Sequence, residues 1–174
     1  SFLLSLGGEE TLVRLPLLGR HFVDHALFAI ATASLFGIEK GKILNALRDV
    51  RPSPMRMEVL SLGGGITLIN DTYNANPDSM EMALRTLSEV RGEGKAIAIL
   101  GDMLELGVFT EEAHRQLGRK AALFSIDLLL VMGKEAPRVV ASAIEEGLDP
   151  DRVRVVESPA EAASVARAFA KEGD

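Results

Sequence analysis

The sequence predicts an α/β chain whose larger part is a mostly parallel sheet with helices on both faces. Three observations carry that prediction. From residue 66 onward, short apolar runs rich in β-branched residues alternate with longer amphipathic ones, the rhythm of βαβ units. Several short runs, such as 96–100 and 127–132, are apolar almost throughout, as strands covered on both faces are. The amphipathic runs open on capping residues followed by proline, at Asn76-Pro77 and Ser158-Pro159. Residues 1–50 read differently, as a hairpin followed by two helices.

Bulk properties narrow the function classes. A chain of 174 residues, 47% hydrophobic and 25% charged, can bury one core, or one core plus part of another. Net charge is −6, with acidic and basic residues mixed along the chain. That argues against nucleic acid as partner, since a phosphate backbone needs a basic face. There is no cysteine, hence no disulfide framework, thiolate metal site or cysteine nucleophile. No apolar run reaches a membrane span, so no membrane partner is expected. The start lacks the basic flank of a signal peptide, and a cytoplasmic location is expected. The chain opens within a strand and without Met, so it is expected to be an excerpt of a longer one.

Residues 2–6 and 11–15 are apolar runs around Gly7-Gly8-Glu9-Glu10 and predict a hairpin. Val23, Ala26, Leu27, Ile30 and Ala33 recur at helical spacing over 21–36, and Gly37 stops that helix. Ile43, Leu44 and Leu47 make one face of a helix over 40–49. Residues 51–55, with two prolines in three positions, predict a linker between a unit at 1–50 and a second at 56–174. Strands are predicted at 57–62 and 66–70 around Gly63-Gly64-Gly65, the first an antiparallel edge of the sheet. A helix over 77–90 follows, then a strand at 96–100 and a helix from Thr110, its predicted cap, to 124. A strand at 127–132, a helix at 135–146, a buried strand at 152–156 and a helix to about 170 complete the pattern. Ser158 and Glu161 are spaced as a capping box. The whole is a Rossmann-like α/β domain preceded by a hairpin and helices.

A parallel sheet puts the C-terminal ends of its strands on one edge, where ligands bind. Asp71, Asp102 and Lys134 each stand just past a predicted strand and are expected to line that edge. The loop at 70–79 reads N-D-T-Y-N-A-N-P-D-S, with Asn76 as N-cap and Asp78 at the positive end of the helix dipole. Those residue types serve an ordinary capped turn and a binding loop equally well. The second loop, G-D-M-L-E-L-G at 101–107, offers Asp102 and Glu105 for ligation, orientation or capping. His114 follows in the next helix, where a lone histidine is more often structural.

Nucleotide fingerprints are absent from the sequence. The stretch at 37–43 has one residue too few for a P-loop, and Ile43 stands where a hydroxyl is required. There is no G-x-G-x-x-G. His21 and His25 are four apart but lack a third ligand, so no metal site is predicted from them. Arg56, just past the prolines, is either a solvated cation or one placed to clamp a phosphate.

The two loops together closely resemble the C-terminal domain of the Mur ligases. The form Y-N-A-N-P-D-S at 73–79, with G-D-M-L-E-L-G at 101–107 and M-R-M-E at 55–58, is most similar to the branch that acts on D-alanyl-D-alanine. The resemblance runs along essentially the whole chain. It implies that residues 1–50 finish a central ATP-binding domain and that 56–174 form a C-terminal domain. It implies an ATP- and Mg2+-dependent peptidoglycan-precursor ligase joining D-alanyl-D-alanine to UDP-N-acetylmuramoyl-tripeptide through an acyl phosphate. ATP and Mg2+ would be held mainly by a part of the central domain that this sequence does not include, so the chain alone is expected to be inactive. By the same resemblance Arg56 reaches the ATP phosphates, Asp71 contacts the ribose side, and both are catalytic. Tyr73, Asn74, Asn76, Ser79 and Asp102 border the dipeptide. His25 and Phe22 stand where the family usually has two asparagines near the adenine, so His25 offers a ring nitrogen and Phe22 only a surface to stack on. A monomer is expected. Two alternatives remain: a folylpolyglutamate synthetase-like domain, and a non-catalytic Rossmann-like domain that binds a small molecule.

Overall fold

Two glycines at positive φ, Gly7 and Gly8, turn the chain between β1 (Phe2–Leu6) and β2 (Glu9–Val13). In the computed structural model, which describes residues 1–174, these strands pair antiparallel with Phe2 opposite Val13. Helix α1 (His21–Leu35) ends at Gly37, whose φ of 73° lets its N–H reach Ser34 O and lets Ile38 N–H reach Ala33 O. Helix α2 (Lys40–Arg48) follows. Leu4 and Val13 of the hairpin, Ala26 and Ile30 of α1, and Ile43 and Leu47 of α2 close a small core. Phe28 and Leu35 of α1, with Phe36, remain 74, 88 and 81% exposed.

The chain divides into two compact units, Ser1–Glu58 and Val59–Asp174. Before the division, Met55 and Met57 both take positive φ, 59° and 48°. Such backbone costs a non-glycine residue about 1 kcal/mol or more. Glu58 offsets part of this by accepting the Met55 N–H at 3.1 Å.

The second unit opens with β3 (Glu58–Ser61) and β4 (Thr67–Asn70), which pair around the glycine turn at Gly63–Gly65. Then come α3 (Pro77–Val90), β5 (Ile97–Leu100), α4 (Thr110–Leu123), β6 (Leu128–Val131), α5 (Ala136–Glu145), β7 (Val153–Val155) and α6 (Pro159–Phe169). Strands β5, β6 and β7 form a parallel sheet in that order, with Ile97 beside Leu128 and Leu129 beside Val153. All four residues of β6 are buried. Leu129 and Val131 pack with α4, α5 and Leu84 of α3, while Leu128 and Leu130 pack with Ala162 of α6. Helices therefore cover both faces. Burying each such leucine contributes roughly 2–3 kcal/mol.

Small residues bring α4 and α5 together. A Cβ on Gly118 would lie 2.2 Å from both Ser142 Oγ and Val139 O. At the other end of the unit, Asp174 ties the starts of two strands. Its carbonyl accepts Thr67 N–H at 2.9 Å, and its side chain accepts Lys95 N–H at 2.7 Å. The Lys95 N–H, together with the Lys171 N–H that the carboxylate accepts at 2.8 Å and the charges of both lysines, holds the Asp174 carboxyl below its usual range against the opposing effect of burial.

Five expectations need correction. The parallel sheet has three strands, because β4 pairs only with β3 and makes no ladder with β5. Strand 57–62 is therefore half of a separate hairpin and not the edge of the parallel sheet. Strand β7 is an edge strand with only Val153 buried; Arg154 and Val155 face outward. Thr110 does not cap α4. A helical turn at Gly107–Phe109 runs straight into the helix, and the Thr110 hydroxyl donates back to Gly107 O at 2.8 Å. At α6, Ser158 caps Glu161 N–H, but the Glu161 carboxylate accepts Glu157 N–H, one residue before the expected partner.

Candidate functional site

Two loops leave strand ends in the second unit. The first joins β4 to α3. Asn70 ends the strand, and its side-chain oxygen accepts the Thr72 hydroxyl at 2.8 Å. Ala75 packs against the main core. Asn76 then takes extended backbone, φ −145°, and accepts Ser79 N–H at 2.9 Å while Ser79 Oγ accepts Asn76 N–H at 3.1 Å. This is the reciprocal capping box, and Pro77 occupies the first helical position. The side chains of Asn76 and Ser79 are thus committed to the helix start. Between the anchors, Asp71 is half-buried, Asn74 is exposed, and Tyr73 is 59% exposed.

The second loop joins β5 to α4 and is held by distant partners. The Asp102 carboxylate accepts Lys134 N–H at 2.7 Å and Glu135 N–H at 3.1 Å. Gly133, at φ 114°, makes room for it, since a Cβ there would fall 2.4 Å from Asp102 Cγ. Met103 is buried, and its N–H donates to His114 Nε2 at 3.0 Å. His114 is fully buried, and its Nδ1 lies 2.7 Å from Thr110 O. Beyond Met103 the loop turns outward. Leu104 is 74% exposed, and Glu105 is exposed at φ 62°. Val108 and Phe109 are also exposed.

Of the residues expected on one edge, Asp102 and Lys134 meet, through the Lys134 backbone. Asp71 follows the end of β4, a strand outside the parallel ladder. Glu135, which the sequence did not single out, is buried and pairs with Arg138 at 2.6 Å. In the sequence His114 is only a lone histidine in a helix. A sequence signal for it would be a helical imidazole near a strand end whose next buried amide needs an acceptor.

In the first unit, His21, Phe22 and His25 cluster at the start of α1. Phe22 lies 4.3 Å from His21 and 5.6 Å from His25 between ring centroids, the second pair edge to face. Arg56 donates its backbone N–H to Ser53 O at 3.1 Å, between the two left-handed methionines. No group of three or more His, Asp or Glu residues is placed to hold a metal ion.

Comparison with known proteins adds to this geometry. Residues 55–174 match the family model described as Mur ligase, glutamate ligase domain. The UDP-N-acetylmuramoyl-tripeptide–D-alanyl-D-alanine ligase of Bacillus subtilis is 34% identical over 149 residues, covering 86% of this chain and 32% of the relative. The ligase of the same name from Escherichia coli is 36% identical over 135 residues, covering 77% and 29%. Among solved structures, MurF from Acinetobacter baumannii superposes with a TM-score of 0.83 at 27% identity, over 97% of this chain and 36% of that one. The chain thus spans about a third of the length of the curated relatives it matches. The strand-to-helix loops, the three-stranded parallel sheet and these matches identify the chain as a member of the Mur ligase family.

Proposed function

We propose that the chain is part of an ATP-dependent ligase that joins D-alanyl-D-alanine to UDP-N-acetylmuramoyl-tripeptide in peptidoglycan-precursor synthesis. Residues 1–50 would finish the central ATP-binding domain, 51–55 would link, and 56–174 would form the C-terminal domain. The observation that carries the reading is the β4–α3 loop. Its residues N-D-T-Y-N-A-N-P-D-S are those of the D-alanyl-D-alanine branch by resemblance, and it stands in a chain 34% identical to such a ligase.

The chemistry is phosphoryl transfer followed by acyl transfer. The terminal phosphoryl of ATP passes to the peptide carboxylate, giving an acyl phosphate and ADP. The free amine of D-alanyl-D-alanine attacks the acyl carbon, the tetrahedral intermediate collapses, and inorganic phosphate leaves with its bonding electrons. Charge builds on phosphoryl and acyl oxygens, so cations aimed at them lower the barrier most. Magnesium would supply such charge from residues outside this chain. Arg56 is the cation this chain offers, set between Met55 and Met57. Asp71 would accept from the ribose hydroxyls. Tyr73 and Asn74, the exposed middle of the first loop, would meet the dipeptide; Asn76 and Ser79 would border it while serving as the cap. The ring cluster of His21, Phe22 and His25 supports stacking on the adenine in place of paired amide hydrogen bonds. A monomeric, cytoplasmic enzyme fits this role, and no helix is long and apolar enough to cross a membrane.

The test is phosphate release by the full-length protein and by this chain alone. The full-length protein should release phosphate only with ATP, the muramoyl-tripeptide and D-alanyl-D-alanine all present, and this chain should release none. Release with a folate and glutamate in place of the muramoyl-tripeptide and the dipeptide would favour a folylpolyglutamate synthetase-like enzyme. No release with any of these amines would favour the non-catalytic reading.

A further inference from the structure

The β5–α4 loop contains a polar device that the ligase chemistry does not use. Strand β5 ends at Leu100, and the amide of Met103 lies beyond the ladder, next to a side chain only 2% exposed. A buried amide without an acceptor is costly. His114 supplies that acceptor through Nε2 at 3.0 Å. Its other nitrogen lies 2.7 Å from Thr110 O, a group that can only accept, so Nδ1 carries the proton and Nε2 presents its lone pair. Both nitrogens are satisfied, and the ring is fully buried. Asp102, whose Oδ1 is 4.0 Å from Nε2, turns its carboxylate instead to Lys134 N–H and Glu135 N–H. The two residues that begin the loop are therefore pinned on different elements, Asp102 to the β6–α5 turn and Met103 to α4. Directly beyond these anchors Leu104 and Glu105 are exposed, as are Val108 and Phe109 farther along the loop.

We propose that His114 is a positioning residue: its Nε2–Met103 bond sets the loop so that Leu104 and Glu105, rather than Asp102, meet the incoming amine substrate. The inference rests on the ligase reading for the identity of that substrate. His114 itself touches no substrate. An apolar residue of similar size would fill the same core but leave Met103 N–H without a partner, freeing the loop to leave its binding position. The consequence falls on the amine substrate alone, because the nucleotide is assigned to other residues.

The experiment compares His114→Phe with His114→Gln in the full-length ligase. Phenylalanine keeps the volume and removes both nitrogens; glutamine keeps a carbonyl acceptor. KM for D-alanyl-D-alanine should rise about tenfold or more in His114→Phe, the scale expected when a positioned group is displaced. KM for ATP should stay within about twofold, and His114→Gln should recover most of the loss. An equal rise in both KM values, or no recovery in His114→Gln, would mean a structural role only and would overturn the proposal. A second readout needs no substrate. Nitrogen-15 spectra of this chain should show His114 neutral, with Nδ1 protonated; the opposite tautomer overturns the proposal even if the Phe variant fails to fold. A wild-type enzyme that shows this tautomer but does not turn over D-alanyl-D-alanine brings down the ligase reading instead.

Discussion

The two strand-to-helix loops of the second unit differ in the reach of the bonds at their ends. In the β4–α3 loop the strand-end and capping bonds are local: Thr72 to Asn70, and Asn76 with Ser79 across three residues. In the β5–α4 loop they reach across the domain, from Asp102 to Lys134 and Glu135 and from Met103 to His114. A local cap can be lost with its helix start alone. A loop pinned by distant elements shares its stability with the sheet and helices around it. The second loop should therefore be the more sensitive to substitution, although the first carries the more distinctive sequence.

The largest effect is expected at Gly133. Its φ is 114°, and an added Cβ would lie 2.4 Å from the Asp102 carboxylate. Gly133→Ala must strain the backbone and expel the carboxylate from two buried-edge amides, a cost of about 3 kcal/mol or more. Gly107 is the control in the same loop. It also has positive φ, 56°, but nothing lies within 4 Å of its Cβ position, so Gly107→Ala should cost only about 1 kcal/mol. Urea unfolding of both variants measures the difference, and equal losses would show that the Asp102 anchor contributes little.

The same contrast explains what could be read from the sequence. The start of α3 was legible because Asn76, Pro77 and Ser79 act on neighbours along the chain. Gly37 ended its helix for the same reason. The β5–α4 loop was only half legible. Asp102 could be placed at a strand end, but its partners lie 32 and 33 residues away. Nothing local marks His114 as the acceptor for Met103. Thr110 has the chemistry of a cap, yet the helical turn before it already supplies the geometry, and its hydroxyl bonds backwards. Pairing partners were harder still. The apolar run of β4 resembles that of β5, but which ladder it joins depends on the glycine turn to β3 and on tertiary packing. The same holds for β7, whose Val155 sits on an open edge at 47% exposure.

In the first loop the expected effect is smaller and local. Asn76→Ala removes the acceptor for Ser79 N–H and should cost about 1 kcal/mol. Amide exchange should quicken in the first turn of α3 and stay unchanged in α4. Quickened exchange in α4 as well would show that the two loops are coupled.

The smallest effect concerns a side-chain tie between the helices that follow the two loops. Glu81 of α3 pairs with Arg85 at 2.7 Å and with Lys120 of α4 at 3.3 Å. Burial works against the Glu81 charge, but the hydrogen bonds and charges of Arg85 and Lys120 together outweigh it and hold its pKa below the ordinary 4.5. A carboxylate lowered in the folded state binds protons less readily there than in the unfolded chain. Its contribution is therefore complete above the unfolded value and is lost as pH falls through the folded one. Partial exposure and salt keep that contribution under about 1 kcal/mol. Glu81→Gln should be slightly less stable than the parent at neutral pH, and the gap should close as the solution is acidified below the unfolded value. The closing should be weaker in high salt. A gap independent of pH and salt would mean that Glu81 joins α3 to α4 by packing, and that the helices behind the two loops are coupled without charge.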